Sequence, residues 1–188
     1  MYIASQKRKD NIAEYILYMW QIEDIIRANS LDIEKIKKNV IDKFTDLTDD
    51  QRREMTEWYE SLIDMMRTEG VAEHGHLQIN RNTLMQLVEL HQALLKDPKF
   101  PNYTAEFYKT LPYIVELRSR AGEKAVGEIE TCFTALYGML MLRLQSKDIS
   151  PETQTAVTQI SKFIAMLAHH FKFDKDEIEK AALEREGN

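Results

Sequence analysis

The segment Ile12–Arg27, IAEYILYMWQIEDIIR, restricts the fold of this chain more than any other stretch. At about 100° per residue, Tyr15, Ile16, Met19, Ile22 and Ile26 cluster within roughly 80° of Ile12 on a helix. Ala13, Leu17 and Trp20 fill one flank, and Tyr18 and Ile25 the other. Only Glu14 and Gln21 leave a narrow polar seam. A helix with so little polar surface needs neighbours on most sides, which places it in the middle of a helical bundle. One residue breaks the pattern. Glu23 falls in the apolar sector, between Ile12 and Ile16. An unpaired buried charge is costly, so Glu23 needs a partner, a proton or a wet pocket. Arg27, one turn on at i,i+4 spacing, is the partner the helix itself offers, as a pair at the rim of the core. The alternative puts Glu23 in a cavity shared with His91 or a tyrosine, where a raised carboxyl pKa would suit acid–base work.

The rest of the chain reads as further helices. The first is predicted from Ala4 to Ala28, with Asn29 ending it in a left-handed conformation. Asp32 to Phe44 follows, with one apolar stripe of Ile33, Ile36, Val40, Ile41 and Phe44 and a lysine-rich solvated face. Thr48 and Gln51 have capping-box spacing and open a helix from Asp49 to Thr68, ended by Gly70. Asn80 or Asn82 is the expected cap of the next helix, which runs to Lys96 with His91 inside its apolar stripe. Pro98 and Pro101 interrupt the chain after Asp97.

A helix from Thr104 to Arg120 contains Pro112, which predicts a kink or a fresh start. Another is expected from Glu123 to Gln145, with a face of small residues (Gly127, Thr131, Ala135, Gly138) suited to close helix approach. Ser150-Pro151-Glu152 starts a helix to about Phe171, closed by His169 and His170. Asp174 to Arg185 reads as a short terminal helix with a weak stripe of Ile178, Ala181, Ala182 and Leu183. The expectation is an all-α fold: a single bundle of about seven helices with the N-terminal helix central. It covers 1–188 as one domain, with a candidate subdivision at 97–103 and a polar C-terminal segment over 174–188.

Charge and composition exclude several function classes. The 188 residues are 44% hydrophobic and 30% charged, with a formal net charge of −6. That balance speaks against nucleic acid and anionic membrane as partners. No uninterrupted apolar run is long enough to span a bilayer. Lys7, Arg8 and Lys9 precede an apolar run, but Asp10 and Glu14 interrupt it and no small-residue cleavage site follows, so no signal peptide is predicted. The lone Cys132 cannot form an internal disulfide and reads as a small buried apolar residue, which favours a reducing, cytoplasmic compartment.

Metal and cofactor chemistry finds little support. His74-Gly75-His76 beside Glu73 is the most metal-like feature, yet zinc needs three or four ligands, and HExxH and paired Glu-x-x-His motifs are missing. The loop reads as polar, and neither a metal nor a cofactor is expected. Nucleotide loops, the nucleophile elbow and kinase signatures are missing too. The candidate polar residues of the core are therefore Glu23, Arg27 and His91.

The segment Ala4–Ala28, above all IAEYILYMWQIEDIIRA, resembles the N-terminus of a Bacteroidetes family of small uncharacterised proteins that carry a domain of unknown function. The resemblance implies a bacterial cytoplasmic protein and supplies no activity, ligand or site residue. The preferred reading is a non-enzymatic helical interaction or regulatory module, with a protein partner or self-association. The alternative is a small-molecule-binding protein or enzyme with an interhelical pocket near Glu23 and His91. A pocket with convergent polar groups would favour the alternative, and a sealed core with a large apolar outer patch the first.

Overall fold

A computed structural model describes residues 2–122 and 126–186, with side chains described as far as 173. The described residues form eight α-helices and no strand. The fold is all-α, as the periodicity predicts. None of the described helices is long and apolar enough to cross a membrane.

The first predicted helix is two. α1 (Tyr2–Asp10) stops before Asn11, and α2 (Ile12–Ala28) starts after it. Asn11 takes an extended conformation at φ −154°, and its side-chain oxygen accepts from the backbone N–H of Ala13 and of Glu14. An asparagine that caps the following turn cannot also continue the preceding one. α2 is buried along Ile12, Tyr15, Ile16, Met19, Ile22 and Ile26 as its phase requires. It packs on α1, on α5 (Gln78–Lys96), on α7 (Glu128–Leu144) and on α8 (Pro151–Glu186), which places it centrally.

After α2 the left-handed residues are Ser30 and Leu31, at φ 59° and 55°, and not Asn29. Arg67 donates to the Leu31 carbonyl and so holds that turn. α3 (Ile33–Asn39) is shorter than predicted. A 3-10 turn, Ile41–Lys43, replaces its last part. Arg52, on α4 (Asp49–Thr68), donates to the carbonyls of Ile41 and Phe44. Thr48 and Gln51 form the predicted capping box at the start of α4.

Three further expectations are corrected. Asn80 and Asn82 do not cap α5: Leu77 occupies that position, and the Glu69 carboxylate accepts from the Gln78 N–H at 2.6 Å instead. Pro112 does not restart the helix, since α6 (Pro101–Ala121) runs through it. Proline costs the bond to the carbonyl four residues back. Here that residue is Tyr108, on an exposed part of the helix. The helix from Pro151 does not end at Phe171 but continues as one element to Glu186, with neither glycine nor proline to stop it before then.

The predicted start at Glu123 lies outside the described residues, and α7 is described from Glu128. The stripe of Ile178, Ala181, Ala182 and Leu183 also lies outside the described side chains. The small-residue face of α7 does not serve close approach along its length, because a Cβ built at Gly127 or Gly138 would meet nothing within 4 Å. α8 packs on α2, α5, α6 and α7, and so shares the centre with α2.

A buried carboxylate and the histidine it holds

Glu23 is fully buried in α2. Its partners come from the chain between α4 and α5, which folds across the open side of α2. Oε1 accepts from the Leu77 backbone N–H at 2.9 Å and from Asn80 Nδ2 at 2.6 Å. Oε2 lies 2.6 Å from His76 Nδ1. The carboxylate thus sits at the N-terminus of α5, where the helix dipole and free amide groups favour an anion. Three donors compensate its loss of water. In the tautomer that satisfies the carboxylate, Nδ1 carries the hydrogen and Nε2 is left as an acceptor.

The expected Glu23–Arg27 pair does not form. Arg27 turns away, pairs with Asp24 at 2.9 Å and donates through Nη2 to the carbonyls of Val71 and Gly75. It therefore pins the same connection that Glu23 binds further along. Gly70 and Gly75 let that connection turn, at φ 70° and 88°. Gly75 needs the freedom, because a side chain there would be strained in the left-handed region.

His76 stacks on Trp20, with ring centroids 4.1 Å apart and planes 12° from parallel. Trp20 is in turn met edge-on by Phe133 and Tyr137 of α7. Tyr137 donates to Asp24 Oδ2 at 2.6 Å. Burial raises the Tyr137 pKa, and that hydrogen bond raises it further, so the phenol stays a donor. The imidazole is thus fixed by a carboxylate on one edge and an indole on one face.

Over this imidazole lies a cleft of about 380 Å3, lined by Trp20, His76, Asn80 and Arg81 together with Leu84, Met85 and Val88 of α5 and Glu130 of α7. His76 is 31% exposed at its side chain. Its Nε2 has no partner among the described residues, and Asn80 Oδ1 is buried without one. The cleft holds both an apolar wall and convergent polar groups.

His91 belongs elsewhere. It is buried in α5, and its Nδ1 lies 2.7 Å from the Tyr103 hydroxyl. Phe107 and Phe163 close around the pair edge-on. Burial lowers the His91 pKa, partly countered by the negative field of Glu128, and burial pushes the Tyr103 pKa up. His91 is a buried histidine with a hydrogen-bond partner, as its apolar stripe suggests, and the partners of Glu23 are a different set. Cys132 is also buried, its thiol pushed up to about 12 by burial, so it is no nucleophile at neutral pH.

Sequence reasoning named Glu23 and missed its partners. His76 was assigned to a polar loop, and Asn80 to a helix cap. The available signal was the demand itself: a carboxylate in an apolar sector needs donors from another segment. His74 and Glu73 stay exposed. No cluster of His, Cys, Asp and Glu among the described residues is of a size to hold a metal ion. A second buried carboxylate, Glu106 of α6, also went unnoticed although it is spaced with Tyr103, Phe107 and Thr110. Gln159 donates to it, which lowers its pKa against the effect of burial, and Lys162 adds to the lowering.

A family model described as Domain of unknown function (DUF4924) matches residues 1–178, and the chain belongs to that family. No curated protein and no solved structure matches it.

Proposed function

We propose that this member of the family is a small-molecule-binding protein, with its ligand seated in the cleft over His76. The observation that carries the reading is the arrangement of the imidazole. A fully buried carboxylate holds one ring nitrogen, while the other is unpartnered in a ring that lines a cleft. Burying a carboxylate for stability alone returns little, because desolvation offsets what the pair gains. Fixing the tautomer and orientation of a histidine is a task that does need it. The cleft volume falls within the range of about 300–1,000 Å3 usual for ligand sites.

The polar groups that line the cleft support the binding reading over the interaction module that the sequence analysis preferred. In this reading His76 takes the place beside Glu23 that the sequence analysis gave to His91. Recognition is the function assigned to the cleft, whose lining combines an apolar wall with a presented imidazole and a carboxylate. The same reading takes the protein to be bacterial and cytoplasmic, on the resemblance of its first two helices and its single cysteine.

Protein-observed NMR with a fragment library tests this. Ligands are expected to shift the Trp20 indole N–H and the Asn80 side-chain amide together, and to lose affinity in His76→Gln. Hits that map away from the cleft, or no hits, would overturn the reading.

A second reading, self-association, rests on a separate groove of about 550 Å3 that includes Leu17, Leu136, Leu140 and Val157. Light scattering over a concentration series decides it, and a constant mass of 22.1 kDa would exclude it.

A further inference from the structure

The polar groups that line the cleft are unequal in kind. With the imidazole neutral, the hydrogen that Glu23 holds is on Nδ1, and His76 Nε2 is an acceptor. Asn80 has given its amide hydrogens' side to Glu23, which fixes Oδ1 as the remaining group, and Oδ1 is an acceptor with no partner. Glu130, half-buried on α7, has a carboxylate with no ion pair or hydrogen bond among the described residues. His76 Nε2 and the Glu130 carboxylate are therefore two acceptors at one cleft, one of them an anion, and behind them Asn80, fully buried in the wall, keeps an Oδ1 with no partner among the described residues. The guanidinium among the lining residues is that of Arg81, which is exposed. Between these groups the wall is Leu84, Met85, Val88 and the Trp20 ring.

We infer that the ligand is an organic amine: a cationic nitrogen with several N–H donors on a compact apolar body. This rests on the binding function proposed above and names its ligand class. An ammonium group donates to Nε2 and pairs with Glu130, while its hydrocarbon body covers the apolar wall. Charge-assisted hydrogen bonds of this kind are the strong ones. A carboxylate ligand would meet a lone pair at Nε2 and a like charge at Glu130, with Arg81 to offset them. A neutral alcohol offers one donor to two acceptors and leaves one of them unpaired. The chain's net charge of −6 also favours approach of a cation over an anion.

Three probes with one phenyl body separate the classes: phenethylamine, phenethyl alcohol and hydrocinnamate. Each is titrated into the full chain and followed at the Trp20 indole N–H and the Asn80 side-chain amide, with affinity checked by calorimetry. The amine is expected to bind most tightly and to weaken about tenfold in Glu130→Gln. Glu130→Gln keeps the shape of a half-buried residue outside the core, so folding is preserved, and its spectrum verifies that. Tighter binding of the alcohol or the acid at these same resonances, or an amine affinity unchanged in Glu130→Gln, would overturn the amine assignment while the cleft remained a binding site. Failure of all three probes to move these resonances would overturn both.

Discussion

The molecule buries two histidine-containing polar clusters, and they differ in what faces the ring. His91 is closed in by Tyr103, Phe107 and Phe163, and its partner is a neutral hydroxyl. His76 is held by a carboxylate and stacked on Trp20, with its remaining edge in a cleft. The first cluster is interchangeable with apolar packing in principle, because replacing both hydrogen-bond partners by groups of similar shape can be nearly neutral. The second is not. Its carboxylate is tied to a backbone N–H, to an amide and to the imidazole, and no apolar residue can serve these donors. The second cluster both ties the connection between α4 and α5 to α2 and orients a ring whose free edge faces a cleft.

The largest effect that could break this comparison is at Glu23. Glu23→Ala is expected to cost about 3–5 kcal/mol in urea melts, because it leaves buried donors without an acceptor. Glu23→Gln keeps the shape and one carbonyl oxygen, and is expected to cost less than Ala by roughly 1–3 kcal/mol. Equal, near-zero effects would show that the carboxylate does not organise the connection between α4 and α5.

Next in size is the sealed cluster. His91→Phe or Tyr103→Phe alone is expected to cost about 1–3 kcal/mol, since each strands a buried partner. The double variant is expected to recover part of that, with a coupling near 1 kcal/mol in a double-mutant cycle. Strict additivity would show that the hydrogen bond carries no weight.

The sealed cluster also predicts a pH dependence. Burial holds the His91 pKa below the ordinary value of 6.5. Between that lowered value and 6.5 the unfolded chain binds more protons than the folded one. Stability is then fully present above 6.5 and falls as pH drops below it. His170, also lowered by burial and by His169, acts in the same direction. Glu106 has a depressed carboxyl pKa, so its contribution is present above 4.5 and is lost at lower pH. Melts across this range are expected to show the loss below 6.5 reduced in His91→Phe and the more acidic loss retained. An unchanged profile in His91→Phe would contradict the assignment.

What the sequence made legible follows the same division. Periodicity placed α2 in the centre and Glu23 in the core, because burial of a helical position depends on its phase alone. Periodicity also put His91 in an apolar stripe. It could not show that His76 meets Glu23, because that contact joins residues 53 positions apart through a connection without a period. The local partner, Arg27 at i,i+4, was the only one that helical spacing can supply, and tertiary contacts to Val71 and Gly75 outcompeted it. Boundaries failed for similar reasons. Asn11 and Asn80 are both asparagines near helix starts, yet Asn11 caps a turn and Asn80 is drawn inward by a carboxylate. Pro112 was read from its local cost, yet α6 runs through it.

The smallest stability effect is expected where the effect on binding is largest. His76 contributes one hydrogen bond to Glu23 and one stacked face to Trp20, and its side chain is 31% exposed. His76→Gln keeps a donor for the carboxylate and some cover for the indole, so the loss of stability is expected to stay within about 1 kcal/mol. The substituted amide cannot reproduce an acceptor at the Nε2 position with the planar rigidity of an imidazole. Phenethylamine is therefore expected to bind His76→Gln at least about tenfold more weakly, while His91→Phe, equally conservative in shape and more costly in stability, leaves its affinity unchanged. That crossing of effects separates a residue kept for a ligand from one kept for packing. If His91→Phe weakened binding as much as His76→Gln, the two clusters would be one coupled unit. The contrast between a sealed histidine and a presented one would then fail.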